Sequence, residues 1–165
     1  MSVAQNDSAA APALEDVLVV RLGEHRLALR LQDVGEVLPA VATVPLPAAD
    51  ELVAGVMNLH GRALPVLDVR RRLGVPARPV RPEDHFVTCQ VARRPVALWV
   101  DAAEAVTRAS TQTLAGGDRV RAGDHPDGVA VADDGLVLVY NLDAFLDGDE
   151  LLRLDRATAA SGEVR

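Results

Sequence analysis

One stretch of this 165-residue chain occurs twice, and that repetition constrains the fold more than any other feature. Gly55-Val-Met-Asn-Leu opens the first copy and Gly128-Val-Ala-Val-Ala opens the second. Ala63-Leu-Pro-Val-Leu-Asp-Val is then answered by Leu136-Val-Leu-Val-Tyr-Asn-Leu. The spacing is constant: Gly55 to Gly128, Asp68 to Asn141 and Leu73 to Leu146 are equal steps along the chain. An earlier echo aligns Arg26-Leu-Ala-Leu-Arg-Leu-Gln-Asp33-Val-Gly-Glu36-Val with Arg94-Pro-Val-Ala-Leu-Trp-Val-Asp101-Ala-Ala-Glu104-Ala, at a slightly shorter step. Both echoes keep the same order, so the chain reads as two similar halves with a longer loop before Gly128. Each half is too small to hold a large core alone, and the two must pack on each other.

Composition narrows the class. Only four aromatics are present (Phe86, Trp99, Tyr140 and Phe145), so Val, Leu and Ala must build the core, with little left to stack on bases or sugars. A net charge of −7 argues against nucleic acid as a partner, since that role needs a basic face. The lone Cys89 rules out an internal disulfide and supplies no metal cluster. It sits within the apolar alternation Phe86-Val-Thr-Cys-Gln-Val and is expected to be a buried thiol. No apolar run approaches the ~20 residues a membrane-spanning helix needs, so direct membrane insertion is not expected. The first residues lack the basic segment of a secretory signal, which points to the cytoplasm.

Residues 1–15 show no periodicity and read as a mobile tail before an ordered domain over 16–155. Val17-Leu-Val-Val-Arg-Leu and Arg26-Leu-Ala-Leu-Arg-Leu flank Gly23-Glu-His25 as a hairpin. In its second strand Leu27, Leu29 and Leu31 should face a core, with Arg26, Ala28 and Arg30 in water. Asp33 can cap the turn that follows, Pro45-Leu-Pro47 breaks regular structure, and Ala48-Ala-Asp-Glu-Leu52 suits one helical turn. Val56–His60 and Ala63–Val69 read as strands joined at Gly61-Arg62, and Asp68–Leu73 as a short helix. Pro76, Pro79 and Pro82 mark a linker over about 74–84.

The second half repeats the plan with strands Phe86–Val91 and Val96–Val100 about a turn at Arg93-Arg94, then a polar loop from about Ala109 to Asp127. Asp133-Asp-Gly135 suits a type I′ turn between Val129–Ala132 and Leu136–Leu142. From Asp149, Leu151, Leu152 and Leu154 fall on a helix that packs back on the rest, with 156–165 as a tail. Short strands, frequent turns and no long helix mean an all-β chain of two small barrels, one per half.

The residues offer no catalytic, cofactor or metal site. His25, His60, His85 and His125 lie far apart without ligand spacing. Asp133-Asp134 and Asp147/Asp149 sit beside glycine in turns and suit solvated carboxylates. Gly116-Gly-Asp lacks the ending of a phosphate loop, and Ser110, Thr111 and Thr113 have no base in a recognisable motif. Arg70-Arg-Arg72 reads as a solvated helix face. No enzyme is expected.

Gly55-Val56, Asn58-Leu59, Gly61, Pro65-Val66, Asp68 and Arg70 together resemble the pattern of the CheW-like domain, the coupling module of bacterial chemosensory systems. The resemblance extends in order to Asp33-Val34-x-Glu36-Val37, Pro45-x-Pro47, Val100-Asp101 and Leu138-Val-Tyr-Asn-Leu, over about residues 15–155. It implies two five-stranded SH3-like β-barrels, no catalytic activity and no cofactor. It also implies two partners: the regulatory domain of a chemosensory histidine kinase, and the cytoplasmic tip of a chemoreceptor. The chain would then be a free-standing adaptor in membrane-associated receptor arrays.

By the same resemblance a receptor-binding groove would use Val34, Glu36, His60 and Val106, and Gly55, Asn58 and Arg62 would serve a kinase or adaptor interface. Val34 and Val106 suit a core equally well, Glu36 suits a solvated turn, and Gly55 and Gly61 suit backbone demands first. Pro65 suggests an edge or bulge, and Asp68 a turn cap. One position departs from the family: His60 stands where an Arg, the charge partner of the acid at Glu36, is usual. Guanidinium offers a permanent planar fork, whereas imidazole is largely neutral at pH 7 and makes one bond at a time. The receptor contact is therefore expected to be weaker, pH-sensitive or retuned. A regulator of another output such as twitching or gliding, and a small-molecule-binding double barrel, remain as alternative readings.

Overall fold

The computed structural model describes residues 13–46, 52–113, 128–132, 135–144, 146 and 148–162. Ten strands occur there: β1 (Ala13–Leu22), β2 (His25–Arg30), β3 (Val34–Pro39), β4 (Val53–Leu59), β5 (Arg62–Leu67), β6 (His85–Val91), β7 (Arg94–Val100), β8 (Ala102–Thr113), β9 (Gly128–Ala132) and β10 (Gly135–Val139). Three 3-10 turns (Leu31–Asp33, Arg70–Leu73, Leu142–Ala144) and one helix, α1 (Gly148–Gly162), complete the described elements.

The strands form two five-stranded sheets, a closed barrel in the order β1-β2-β10-β9-β8 and a second sheet in the order β3-β6-β7-β5-β4. The halves therefore do not make one barrel each. Each sheet takes a hairpin from one half and three strands from the other, β1–β2 with β8–β10 and β6–β7 with β3–β5. The connections force this exchange. Only Asp101 separates β7 from β8, and so short a joint cannot fold an antiparallel partner back, so the chain runs on into the other sheet. The exchanged pieces meet in two short parallel ladders, Leu138↔Leu27 with Val139↔Ala28, and Val66↔Ala97 with Leu67↔Leu98. The proline-rich 74–84 segment joins β5 to β6 within the second sheet.

These ladders also correct the repeat. If Val139 answers Val66, then Ala97 answers Ala28, and that step is one position longer than the step from Asp33 to Asp101. The extra residue of the first half is taken up in the Leu31–Asp33 turn. A slip of one position in a strand exchanges its faces. In the corrected register Leu27 matches Val96 and Leu29 matches Leu98, all four in one core between the sheets. Ala28 lies instead inside the closed barrel with Val17, Val19, Ala109, Val137 and Val139, and Ala97 inside the second sheet with Met57, Leu64, Val66, Phe86 and Trp99. The central strands are thus buried on both faces, and Ala28 is fully buried rather than in water. This is why β1 carries the unbroken run Val17-Leu-Val-Val.

Several boundaries differ from expectation. β1 begins at Ala13, inside the expected tail, and α1 runs on to Gly162. Leu154 is buried and Leu151 packs against the inter-sheet core, but Leu152 faces solvent. Pro65 lies in a strand with neighbours on both sides, at a residue paired with β4 and just before the ladder to β7 begins. The expected helical turn at 48–52 falls on residues outside the described set except Leu52, as do the loop after Thr113, Asp133-Asp134 and Asp147.

The two sheets close differently. The 12-residue β8 completes its barrel through Ser110↔Val131, Thr111↔Ala130, Gln112↔Val129 and Thr113↔Gly128. Its counterpart β3 has 6 residues, and among the described residues only the bridge Val44↔Val56 stands where Gln112↔Val129 stands in the other barrel. Pro39 ends β3 and Pro45 follows the bridge, where the second half has Thr107 and Thr113. Proline donates no ladder bond, so the β3–β4 seam stays open.

Candidate functional site

The open end of the second sheet collects most of the expected site residues. The β4–β5 turn is His60-Gly61, with φ 51° and 85°. It is one position earlier than expected and has the positive-φ pair of a type I′ hairpin. Asn58 Oδ1 accepts the Gly61 N–H at 2.8 Å and fixes the loop. Across the seam, β3 bulges between Val34 and Val37, and the Glu36 N–H donates to Thr88 Oγ1 at 2.6 Å. Gly35 is needed there because a Cβ would lie 2.6 Å from that same hydroxyl.

This geometry brings His60 Nε2 to 3.7 Å from Glu36 Oε1, with the two side chains 76% and 53% exposed. The contact is too long for a hydrogen bond, and an exposed pair of this kind contributes about 0–1 kcal/mol. It positions two groups on a rim and adds little stability. Below the rim, Val34, Gly35, Leu59, Arg62, Leu64 and Thr88 are among the residues lining a groove of about 320 Å³. Val34 is half-buried and packs against the inter-sheet core, so it serves both core and groove. Val106 lies on β8 of the other sheet, opposite Leu18 and 56% exposed, so it is a surface residue. Gly55 lies on the Val44 side of the seam. A Cβ there would stand 2.9 Å from Thr43 Cβ and 3.0 Å from the Val44 carbonyl oxygen, so close approach of the backbone explains the glycine.

A second cluster escapes the sequence. Arg70, expected on a solvated face, is 1% exposed. Its guanidinium lies 3.9 Å from the Trp99 ring centroid and donates to Asp68 Oδ1 at 3.2 Å and to Asp101 Oδ1. Asp68 also accepts the Arg70 backbone N–H at 3.1 Å, the cap expected of it. Arg78 donates to Asp101 at 2.7 Å and to both Asp84 oxygens at 2.8 Å, and Trp99 Nε1 donates to Asp84 at 3.0 Å. Asp101 also accepts the Gly23 N–H at 2.8 Å, which ties the β1–β2 turn of the barrel to the second sheet. Burial alone would raise the Asp101 carboxyl, but the Gly23 N–H and the two guanidiniums outweigh it and hold the pKa below the ordinary value. For Asp84 burial is likewise outweighed, by Arg78, the Arg81 N–H and Trp99. Arg72 pairs with Glu150 and Arg94 with Asp155 at 2.6 Å, pinning α1 at two points. The Asp68-Val-Arg70 spacing is the one local signal of this network, whose other members lie far along the chain.

Cys89 is buried, and burial, with a contribution from the Asp33 charge, pushes its thiol up to about 12. Among the described residues no group of three or more His, Cys, Asp or Glu side chains is placed to hold a metal ion, and no helix is long and apolar enough to cross a membrane.

Comparison with known proteins fits this architecture. Residues 16–150 match the family described as the CheW-like domain. The chain belongs to that family. It is 29% identical over 99 residues to a chemotaxis protein CheW of Rhizobium meliloti, covering 60% of this chain and 64% of that protein. It is 31% identical over 88 residues to a probable chemotaxis protein CheW of Rhizobium etli, covering 53% and 56%. The chain thus spans somewhat less than two thirds of the length of these relatives. The scaffolding protein TtCheW of Thermoanaerobacter tengcongensis has the same fold, with a TM-score of 0.72 at 22% identity over 84% of this chain and 96% of that one. The fold of this chain is accordingly the SH3-like double barrel, with the second barrel left open at the β3–β4 seam.

Proposed function

We propose that this chain is a non-catalytic chemosensory adaptor, acting in the cytoplasm at membrane-associated receptor arrays. It would bind the regulatory domain of a sensor histidine kinase and the cytoplasmic tip of a chemoreceptor. Membership of the CheW-like domain family across residues 16–150 carries this reading. The open seam supports it, since Glu36 and His60 stand exposed above a groove that includes Val34 and Arg62. An adaptor of this kind works by binding its partners' alternative states unequally, so receptor occupancy biases the kinase.

Calorimetric titration against the isolated regulatory domain of a chemosensory kinase from the same cell should show saturable micromolar binding, weakened by Arg62→Glu. Absence of binding to every such kinase in that cell would remove the kinase from the account. On the receptor side, His60→Arg should raise affinity for the receptor tip, by about fivefold at most for an exposed pair. An affinity unaffected by the substitution would exclude His60 from the receptor contact.

A further inference from the structure

The exchanged duplication joins its two sheets at two equivalent junctions, and their chemistry is opposite. At the first, Asp101 accepts the N–H of Gly23 in the β1–β2 turn and the guanidinium of Arg70. At the second, the counterpart of Asp101 is Asp33, and that of Gly23 is Ala92 in the β6–β7 turn. The counterpart of Arg70, by the same step that carries Gly55 to Gly128, is Asp143. A cation has been replaced by an acid. Asp143 Oδ1 takes the Ala92 N–H at 2.7 Å, so Asp33 has lost both of the partners that Asp101 keeps. Among the described residues Asp33 accepts no hydrogen bond and makes no ion pair.

The turn at this junction is strained as well. Gly23 adopts φ 61° without cost, whereas Ala92 and Arg93 are held at 48° and 68°. Side chains disfavour this left-handed region, so both residues sit there against their preference. The groups around Asp33 do not relieve it. Asp143 faces it from the turn after β10, Glu15 from β1, and the neutral Cys89 thiol from β6. The cation that faces it, Arg30 at the end of β2, is already paired with Glu15 at 3.4 Å.

We infer that the Asp33–Asp143 junction is the labile joint between the two sheets, and that removing either of its two carboxylate charges tightens it while the Asp101–Arg70 junction stays shut. Burial, then the Asp143 charge, raise the Asp33 carboxyl above its ordinary value, with Arg30 opposing. The sign follows: the folded state binds this proton more tightly than the unfolded chain, so stability is gained as pH falls through the raised value.

Thermal unfolding of the full chain between pH 7 and pH 4 tests this, using Asp143→Asn and Asp33→Asn. Asparagine at 143 keeps a carbonyl oxygen for the Ala92 N–H and removes only the charge. Each variant should melt about 2 °C above wild type at pH 7. The Asp33→Asn difference should narrow as pH falls through the raised Asp33 value. Amide exchange, corrected for intrinsic rates, should show lower protection at Ala92 and Val34 than at Gly23 and Arg70, and the two substitutions should close that gap. Variants that melt at or below wild type at pH 7, an Asp33→Asn difference that does not narrow as pH falls, or equal protection at the two junctions would each overturn the inference.

Discussion

Arg70→Met should lower the stability of the chain by about 3–5 kcal/mol, the scale for removing one member of a buried ion pair. The guanidinium is sealed from solvent and stacked on Trp99, and it neutralises two carboxylates, Asp68 and Asp101. Methionine fills much of the volume but leaves Asp101 with only Arg78 and the Gly23 N–H, in a site that already opposes its charge by burial. Arg70→Lys should fall between the two, since it restores charge but neither the planar fork nor the stack. The pH dependence has a defined sign. Asp101 and Asp84 have depressed folded values, so their contribution is complete above the ordinary carboxylate pKa of about 4 and is lost as pH falls through the folded values. Removing Arg70 brings Asp101 closer to its unfolded value, so the gap between variant and wild type should shrink below about pH 4. Urea unfolding at pH 7 and pH 3 measures both quantities. An Arg70→Met protein as stable as wild type at pH 7 would show that the network contributes no stability.

The repeat in the sequence revealed more than its alignment could. The Gly55 and Gly128 copies located β4–β5 and β9–β10, and the double barrel followed from finding each pattern twice. Which half contributes which strand was not visible, because strand exchange depends on the length of a connection, and the single residue Asp101 between β7 and β8 became meaningful only once both ends were known to be strands. The alignment of the earlier echo failed along β2 and β7 for a related reason. It matched polar residues, Arg26 to Arg94 and Asp33 to Asp101, and so placed an extra turn residue within a strand. Burial on both faces was equally hidden, since Ala28 between Leu27 and Leu29 looks the same whether it faces water or a barrel interior. At the rim, the approach of Glu36 and His60 came from family resemblance. The clamp around Arg70 gave no warning, because three consecutive arginines suggest a solvated surface, and the carboxylates that bury the first of them lie at positions 68 and 101.

Gly55 is where a candidate interface residue and a folding constraint coincide, and substitution there should act through the seam. A Cβ would meet Thr43 Cβ and Oγ1 at 2.9 Å and the Val44 carbonyl at 3.0 Å, and Val44 makes a backbone bridge, to Val56, that holds the β3 side against β4. Rotating Thr43 moves its Oγ1 but not its Cβ, which the backbone fixes, and the Val44 carbonyl is backbone as well, so the two segments must shift slightly apart; overpacking of this kind costs about 1–3 kcal/mol. Gly55→Ala should therefore lower the melting temperature and lose protection at the Val44 and Val56 amides, and Gly55→Asp should do more by adding a charge against the Val44 carbonyl. Combining Thr43→Gly with Gly55→Ala removes the first clash and should recover part of the stability, but not all of it. The titration against the kinase regulatory domain then separates two roles. If binding weakens with Gly55→Ala and returns with the double substitution, Gly55 serves the interface by preserving the Val44–Val56 bridge. If binding is lost in both while the Val44–Val56 bridge remains protected in the double variant, the partner touches the glycine itself, and the seam is not its route of action.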